Sequence, residues 1–181
     1  NTYGNLYNGY TADDGRGVCP EGFHIPTNGE WQILADYLGG ADVAGGKMKE
    51  AGLEHWNSPN VGATDESGFT ALPAGYRQGG SGVYDNIGGI AYYWSSSDSS
   101  SITTWSWNLE SHKSEVDPNN NNKHYAYSIR CLETIEGCTH PNATNYDDTA
   151  NVDDGSCEYE TVQIGRQVWM AENLKATHYR N

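Results

Sequence analysis

The chain has 181 residues, enough at about 150 residues per domain for one domain with a small appendage and a real core. Ten Lys and Arg against 24 Asp and Glu leave a net charge of −14, a field that repels phosphate backbones and anionic headgroups and excludes nucleic-acid binding. No apolar run approaches the roughly 20 residues of a membrane-spanning helix, and no charged-then-apolar leader opens the chain at Asn1, so it reads as soluble, or with its leader outside this stretch.

The first strong element is a helix over Pro26–Gly40. Thr27 and Glu30 form a T-x-x-E capping box, Trp31, Leu34, Ala35 and Leu38 recur at helical spacing, and Gly39 supplies the left-handed stop. A shorter helix is expected from about Asp42 to Ala51, weakened by Gly45 and Gly46. From Asn57 to Gly89, Gly, Asn, Ser and Pro punctuate isolated apolar residues, which predicts long ordered loops. Alternation then returns at Tyr92 and Trp94, at Trp105, Trp107 and Leu109, and at Tyr125, Tyr127, Ile129 and Cys131, predicting an antiparallel meander. The tract Asp117–Asn122 reads as the hairpin loop before the last strand, and the serine run Ser95–Ser101 as a loop.

Composition changes after Cys131: residues 134–161 hold seven acids and no Lys or Arg. This stretch is too short for its own core, and a Cys138–Cys157 disulfide would staple it. Beyond it, Val162–Met170 alternates again around Gly165, which suits a two-residue II′ turn, and forms a hairpin with nothing yet to pair against. The four cysteines, Cys19, Cys131, Cys138 and Cys157, are even in number and lack a C-x-x-C pair, favouring disulfides over zinc. Six Trp and thirteen Tyr against two Phe and two Met agree with an extracellular or cell-surface location; buried thiols in a cytosolic chain are the competing reading.

Several motifs stand in order: Tyr3-Gly4-Asn5-Leu6-Tyr7-Asn8, Cys19-Pro20-Glu21-Gly22-Phe23-His24-Ile25-Pro26-Thr27 with Glu30-Trp31, Ala44-Gly45-Gly46-Lys47-Met48-Lys49, Gly68-Phe69-Thr70-Ala71-Leu72-Pro73-Ala74-Gly75-Tyr76-Arg77, Tyr93-Trp94-Ser95-Ser96-Ser97 and Ser128-Ile129-Arg130-Cys131. Together they resemble the Fibrobacter succinogenes major paralogous domain, a module of secreted and surface bacterial proteins, over residues 1–133. The resemblance implies an α+β, C-type-lectin-like fold distantly similar to formylglycine-generating enzymes, with two helices beside a twisted antiparallel sheet and long loops. It also makes sense of a Cys19–Cys131 bridge, which by loop entropy is worth about 4–5 kcal/mol. Residues 162–180 resemble the family's opening strands, yet here they follow everything else. Two copies laid head to tail rebuild a domain in the usual order.

No G-x-S-x-G, H-E-x-x-H or P-loop is present and the six histidines are scattered, so no enzyme is expected. The calcium motifs of sugar-binding lectins are missing as well, Trp107-Asn108-Leu109-Glu110 being only an echo; Trp56, Trp105 and Tyr92 are the candidate aromatics for a glycan or protein ligand. The acidic stretch resembles Cys-bounded repeats of large secreted bacterial proteins, with His140 where those have Asp. Asn145, Asp147, Asp153 and Asp154 are its candidate calcium ligands, against the plain reading of a solvated acidic spacer. The expected organisation is a lectin-like domain (1–133), a disulfide-bonded acidic linker (134–160) and a strand segment (161–181). In that last segment Val162, Ile164, Val168, Trp169 and Met170 would be buried against a neighbouring copy, making a homopolymeric fibre or surface layer by strand donation. Closure within one chain is the competing arrangement, and a glycan- or protein-binding module without polymerisation the competing function.

Overall fold

The computed structural model describes residues 2–171 and is α+β. The chain divides into two compact units, Asn1–Leu132 and Glu133–Asn181. The boundary falls beside the expected one, and the acidic stretch shares a unit with the hairpin.

The first unit runs through β1 (Tyr7–Asn8), β2 (Phe23–His24), α1 (Asn28–Tyr37), α2 (Ala41–Met48), β3 (Tyr76–Arg77), β4 (Tyr84–Asp85), β5 (Ile90–Ser100), β6 (Thr103–Glu110), β7 (Val116–Asn122) and β8 (Ala126–Tyr127), with β9 (Leu132–Glu133) at the boundary. Two antiparallel sheets form, ordered β1-β8-β3-β4 and β5-β6-β7, and β2 pairs with β9. Helix α1 starts where the local chemistry puts it: the Thr27 hydroxyl accepts from the Glu30 N–H at 3.2 Å and the Glu30 carboxylate accepts from the Thr27 N–H at 2.8 Å. Its apolar stripe places Trp31, Ala35 and Leu38 in the core with Leu34 packed at the edge, while Ile33 and Tyr37 on the other face stay exposed. Trp31 stacks on Trp107 of β6, whose indole N–H reaches back to Asn28 at the start of the helix.

Both disulfides pair as expected. Cys19–Cys131 joins residues 112 apart, and Cys138–Cys157 closes a loop within the second unit.

Three expectations need correction. The tract Asp117–Asn122 belongs to strand β7 rather than to a hairpin loop. β7 is an edge strand with a ladder on one side only, so Pro118 can lie opposite Trp107 where a central strand would reject it. The asparagines add side-chain rungs, Asn121 donating to Ser106 at 2.9 Å and Asn119 to Asn108. The serine run is likewise strand: β5 continues to Ser100 through register shifts on either side of Asp98. Conversely, the alternation over 125–131 yields a ladder only at Ala126–Tyr127 and a single bridge at Ser128, leaving Ile129–Cys131 without one.

Helix α2 shows what its glycines are for. A Cβ on Gly45 would sit 2.2 Å from the Glu115 carbonyl oxygen, and one on Gly46 would sit 2.4 Å from that of Gly62. Two loops therefore lie directly on the helix backbone, the Gly46 N–H donating to Ser114 and the Thr64 N–H to Gly46. Lys49, just past the helix, is fully buried, and its ammonium donates to the carbonyls of Val61, Glu110 and Lys113 at 2.8–2.9 Å. Burial pushes its pKa down to about 8, outweighing the pull of Glu115.

The second unit consists of β10 (Glu136–Gly137) and β11 (Val152–Asp153), paired in parallel, and the antiparallel hairpin of β12 (Thr161–Ile164) and β13 (Gln167–Met170). Asn151 braces its start, accepting from the Ile135 N–H and donating to the Glu133 carbonyl, both at 2.8 Å.

Two stability predictions arise. On an exposed helix Gly→Ala gains about 1 kcal/mol, whereas Gly45→Ala is expected to lose about 2 kcal/mol in urea unfolding, because the new methyl meets backbone that cannot yield. Lys49→Met leaves three buried carbonyls without a donor, with an expected loss of about 3 kcal/mol. An unfolded lysine titrates near about 10.4, so between about pH 8 and pH 10 the unfolded wild-type chain holds the extra proton and the Lys49 contribution makes stability rise with pH. Parallel denaturation at about pH 7.5 and about pH 9.5 checks that Lys49→Met lacks this rise.

Candidate functional site

The first unit has a groove of about 370 Å³ between α1, the 67–69 loop and the 130–132 segment. Its walls are Trp31, Leu34 and Phe69, with Arg130, Cys131 and Leu132 along one side. Capping puts Glu30 on the rim, where it also meets His24 at 2.9 Å. Arg130 lies over the Phe69 ring at 4.3 Å and donates to the Phe69 carbonyl at 3.0 Å, which fixes a cation beside an aromatic wall. The indole N–H of Trp31 is buried and has no hydrogen-bond partner among the described residues. A buried donor left unpaired costs about 1–3 kcal/mol, so this wall is not satisfied by the described residues.

A second feature is a tyrosine terrace. Tyr92 stacks on Tyr127 at 4.5 Å, Tyr127 stacks on Trp94 at 4.2 Å, and Tyr76 meets Tyr92 edge-on. Burial pushes the Tyr92 and Tyr127 hydroxyls upward in pKa, and neighbouring tyrosines add to the shift. Trp94 anchors the group by donating its indole N–H to the Tyr7 carbonyl at 2.7 Å.

The three aromatics expected to meet a ligand do not share a surface. Trp56 is only 2% exposed, its N–H donates to the Ala71 carbonyl and Lys49 lies over its ring, so it is a core residue and not a ligand contact. Tyr92 pairs with Asn108, and Trp105 is an odd number of residues from Asn108 along β6, so Tyr92 and Trp105 lie on opposite faces of the sheet. Both are half-buried. The role of Tyr76 and Tyr127 beside Tyr92 was hidden in the sequence, because the contact joins strands far apart in the chain.

The candidate calcium ligands of the second unit serve its backbone. Asn145 accepts from the Glu158 N–H and donates to the Ser156 carbonyl, both at 2.8 Å. Asp147 accepts from the N–H and hydroxyl of Thr149, Asp153 from the Gly155 N–H and Asp154 from the Ser156 N–H. These are turns closed by the acid's own side chain, and the bonds hold the Asp147 and Asp154 carboxyls below the usual range. Among the described residues, the three-residue cluster of His, Cys, Asp or Glu with metal-ligand spacing is elsewhere, at Glu50, Glu54 and His55, whose ligand atoms lie within 4.8 Å of one another. The Glu-x-x-x-Glu-His spacing was the available signal for it. His55 Nδ1 lies 2.9 Å from both Glu50 carboxylate oxygens, a hydrogen-bond contact that joins these two side chains directly.

The hairpin pairs Val162 with Trp169 and Gln163 with Val168 around Gly165, whose φ of 62° suits the first corner of a II′ turn. Alternation places Val162, Ile164 and Trp169 on one face and Val168 and Met170 on the other. All five are 42–68% exposed. The remainder of the expected donor segment, residues 172–181, lies outside the described residues.

Residues 1–133 match the family model described as the Fibrobacter succinogenes major domain. No curated protein and no solved structure matches the chain. The motif order, the two helices beside antiparallel sheets and this match over most of the sequence agree: the chain belongs to the Fibrobacter succinogenes major domain family.

Proposed function

We propose that this protein is an extracellular, non-enzymatic building block of a repetitive fibre or surface layer, assembled when one copy donates its C-terminal hairpin to the next. The observation that carries the reading is the hairpin itself. A two-stranded ribbon is marginal in water, and this one has large apolar side chains on both faces and buries neither. A ribbon built for one-sided packing would be polar on its outer face; apolar groups on both call for insertion into other structure. The two disulfides favour an oxidising compartment, and no helix among the described residues is long and apolar enough to cross a membrane. We read the first unit as C-type-lectin-like, supported by the bridge from the segment before α1 to the end of the unit.

Light scattering and negative-stain microscopy of the full chain with its disulfides intact test the proposal. Concentration-dependent filaments are expected, and Val168→Lys with Trp169→Lys should abolish them while leaving the first unit's near-UV circular dichroism unchanged. A compact monomer at millimolar concentration would overturn it. The terrace of Tyr76, Tyr92 and Tyr127 favours a second reading, a glycan- or protein-binding module, because the half-buried rings of Tyr76 and Tyr92, backed by the buried Tyr127, offer aromatic surface for a sugar ring or a protein side chain. Glycan-array binding lost in Tyr92→Ala, with no polymer at any concentration, would select that reading.

A further inference from the structure

We infer that the groove beside Arg130–Leu132 is the acceptor for strand β13 of a second copy, with Trp169 filling it. The inference rests on the polymerisation reading above and names the surface it needs.

Four observations converge on the groove. First, Ile129–Cys131, between β8 and the strand β9 that pairs with β2, carries no ladder although its sequence alternates as a strand, and Arg130 and Cys131 line one side of the groove. Unpaired strand-like backbone is a template for an added strand. Second, the walls formed by Trp31, Leu34 and Phe69 are apolar and the volume of about 370 Å³ has room for a large side chain. Third, the buried Trp31 indole N–H lacks an acceptor among the described residues, and an incoming strand brings a row of carbonyl oxygens. Fourth, the Arg130 guanidinium is held over the Phe69 ring at the groove's edge, a cation beside an aromatic wall for an incoming ring.

The donor has the matching properties. Within the second unit β13 presents Gln167-Val168-Trp169-Met170, with Trp169 54% exposed. A strand laid along 129–131 aims alternate side chains into the groove and away from it. Trp169 is the largest of the exposed side chains, and Trp31 and Phe69 offer it aromatic walls with Arg130 at the edge.

The test uses the full-length chain carrying p-benzoylphenylalanine at position 169, mixed as ¹⁵N-labelled and unlabelled protein and irradiated at a concentration where assembly is seen. Mixed-isotope cross-links to Trp31, Leu34, Phe69 or residues 129–132 are expected. Polymers whose cross-links fall elsewhere would overturn the groove while leaving polymerisation standing. Cross-links confined to one isotope, or a chain that never associates, would overturn both. In a second measurement 3-benzothienylalanine in place of Trp31 keeps the bicyclic ring and removes the N–H; association is expected to weaken about fivefold, with near-UV circular dichroism reporting an intact core. Unchanged association would remove the indole donor from the argument and overturn this docking geometry.

Discussion

The ammonium of Lys49 is the interaction on which the first unit depends. Three backbone carbonyls, from the 60–64 loop, the end of β6 and the turn after it, converge on one buried cation at the end of α2. Without a donor in their midst those carbonyls would be buried and unpaired. With it, long segments that carry little regular structure gain a fixed point, and Gly45 and Gly46 let the same segments press onto the helix backbone. Trp56 closes the arrangement, its ring under Lys49 and its N–H on Ala71. A family motif that reads as a poor helix is in fact a docking plate, where the lost helix propensity is exchanged for close approach.

A different economy holds in the second unit. Short acidic loops cannot bury enough apolar surface to overcome chain entropy, so local covalent and polar closure replaces a core. Cys138–Cys157 closes the main loop, Asn145 bridges its two sides, and each aspartate ties down the backbone two residues on. The same physics leaves the hairpin without cover. Among the described residues of this unit no apolar floor covers the hairpin, and Val162, Ile164, Val168, Trp169 and Met170 are exposed.

The two units thus have complementary deficits. The first has a groove with an indole donor unpaired among the described residues and a strand-like segment without a ladder; the second has a strand pair with apolar groups and no core. Backbone hydrogen bonding gives affinity in strand addition and side-chain pockets give register. Both ingredients are present on one chain, which is what a self-complementary repeating unit requires.

Short-range chemistry was legible in the residues. The capping box at Thr27 and Glu30, the buried stripe of α1, the turn at Gly165 and the change of composition beyond Cys131 all depend on neighbours a few positions away, and each appears where the spacing puts it. Resemblance to a family supplied the long Cys19–Cys131 bridge, a pairing no local signal contains. What only the tertiary structure decided are matters of partnership: whether Asp117–Asn122 could be a strand despite Pro118, whether Ser95–Ser100 stayed in the ladder, and whether Ile129–Cys131 found one at all. Trp56 and the Glu50, Glu54 and His55 cluster belong to the same class, since burial and convergence are set by what packs from elsewhere. A strand exists only when a second one lies beside it, and that second strand is remote in the chain, so residue spacing can propose the edge but not its neighbour.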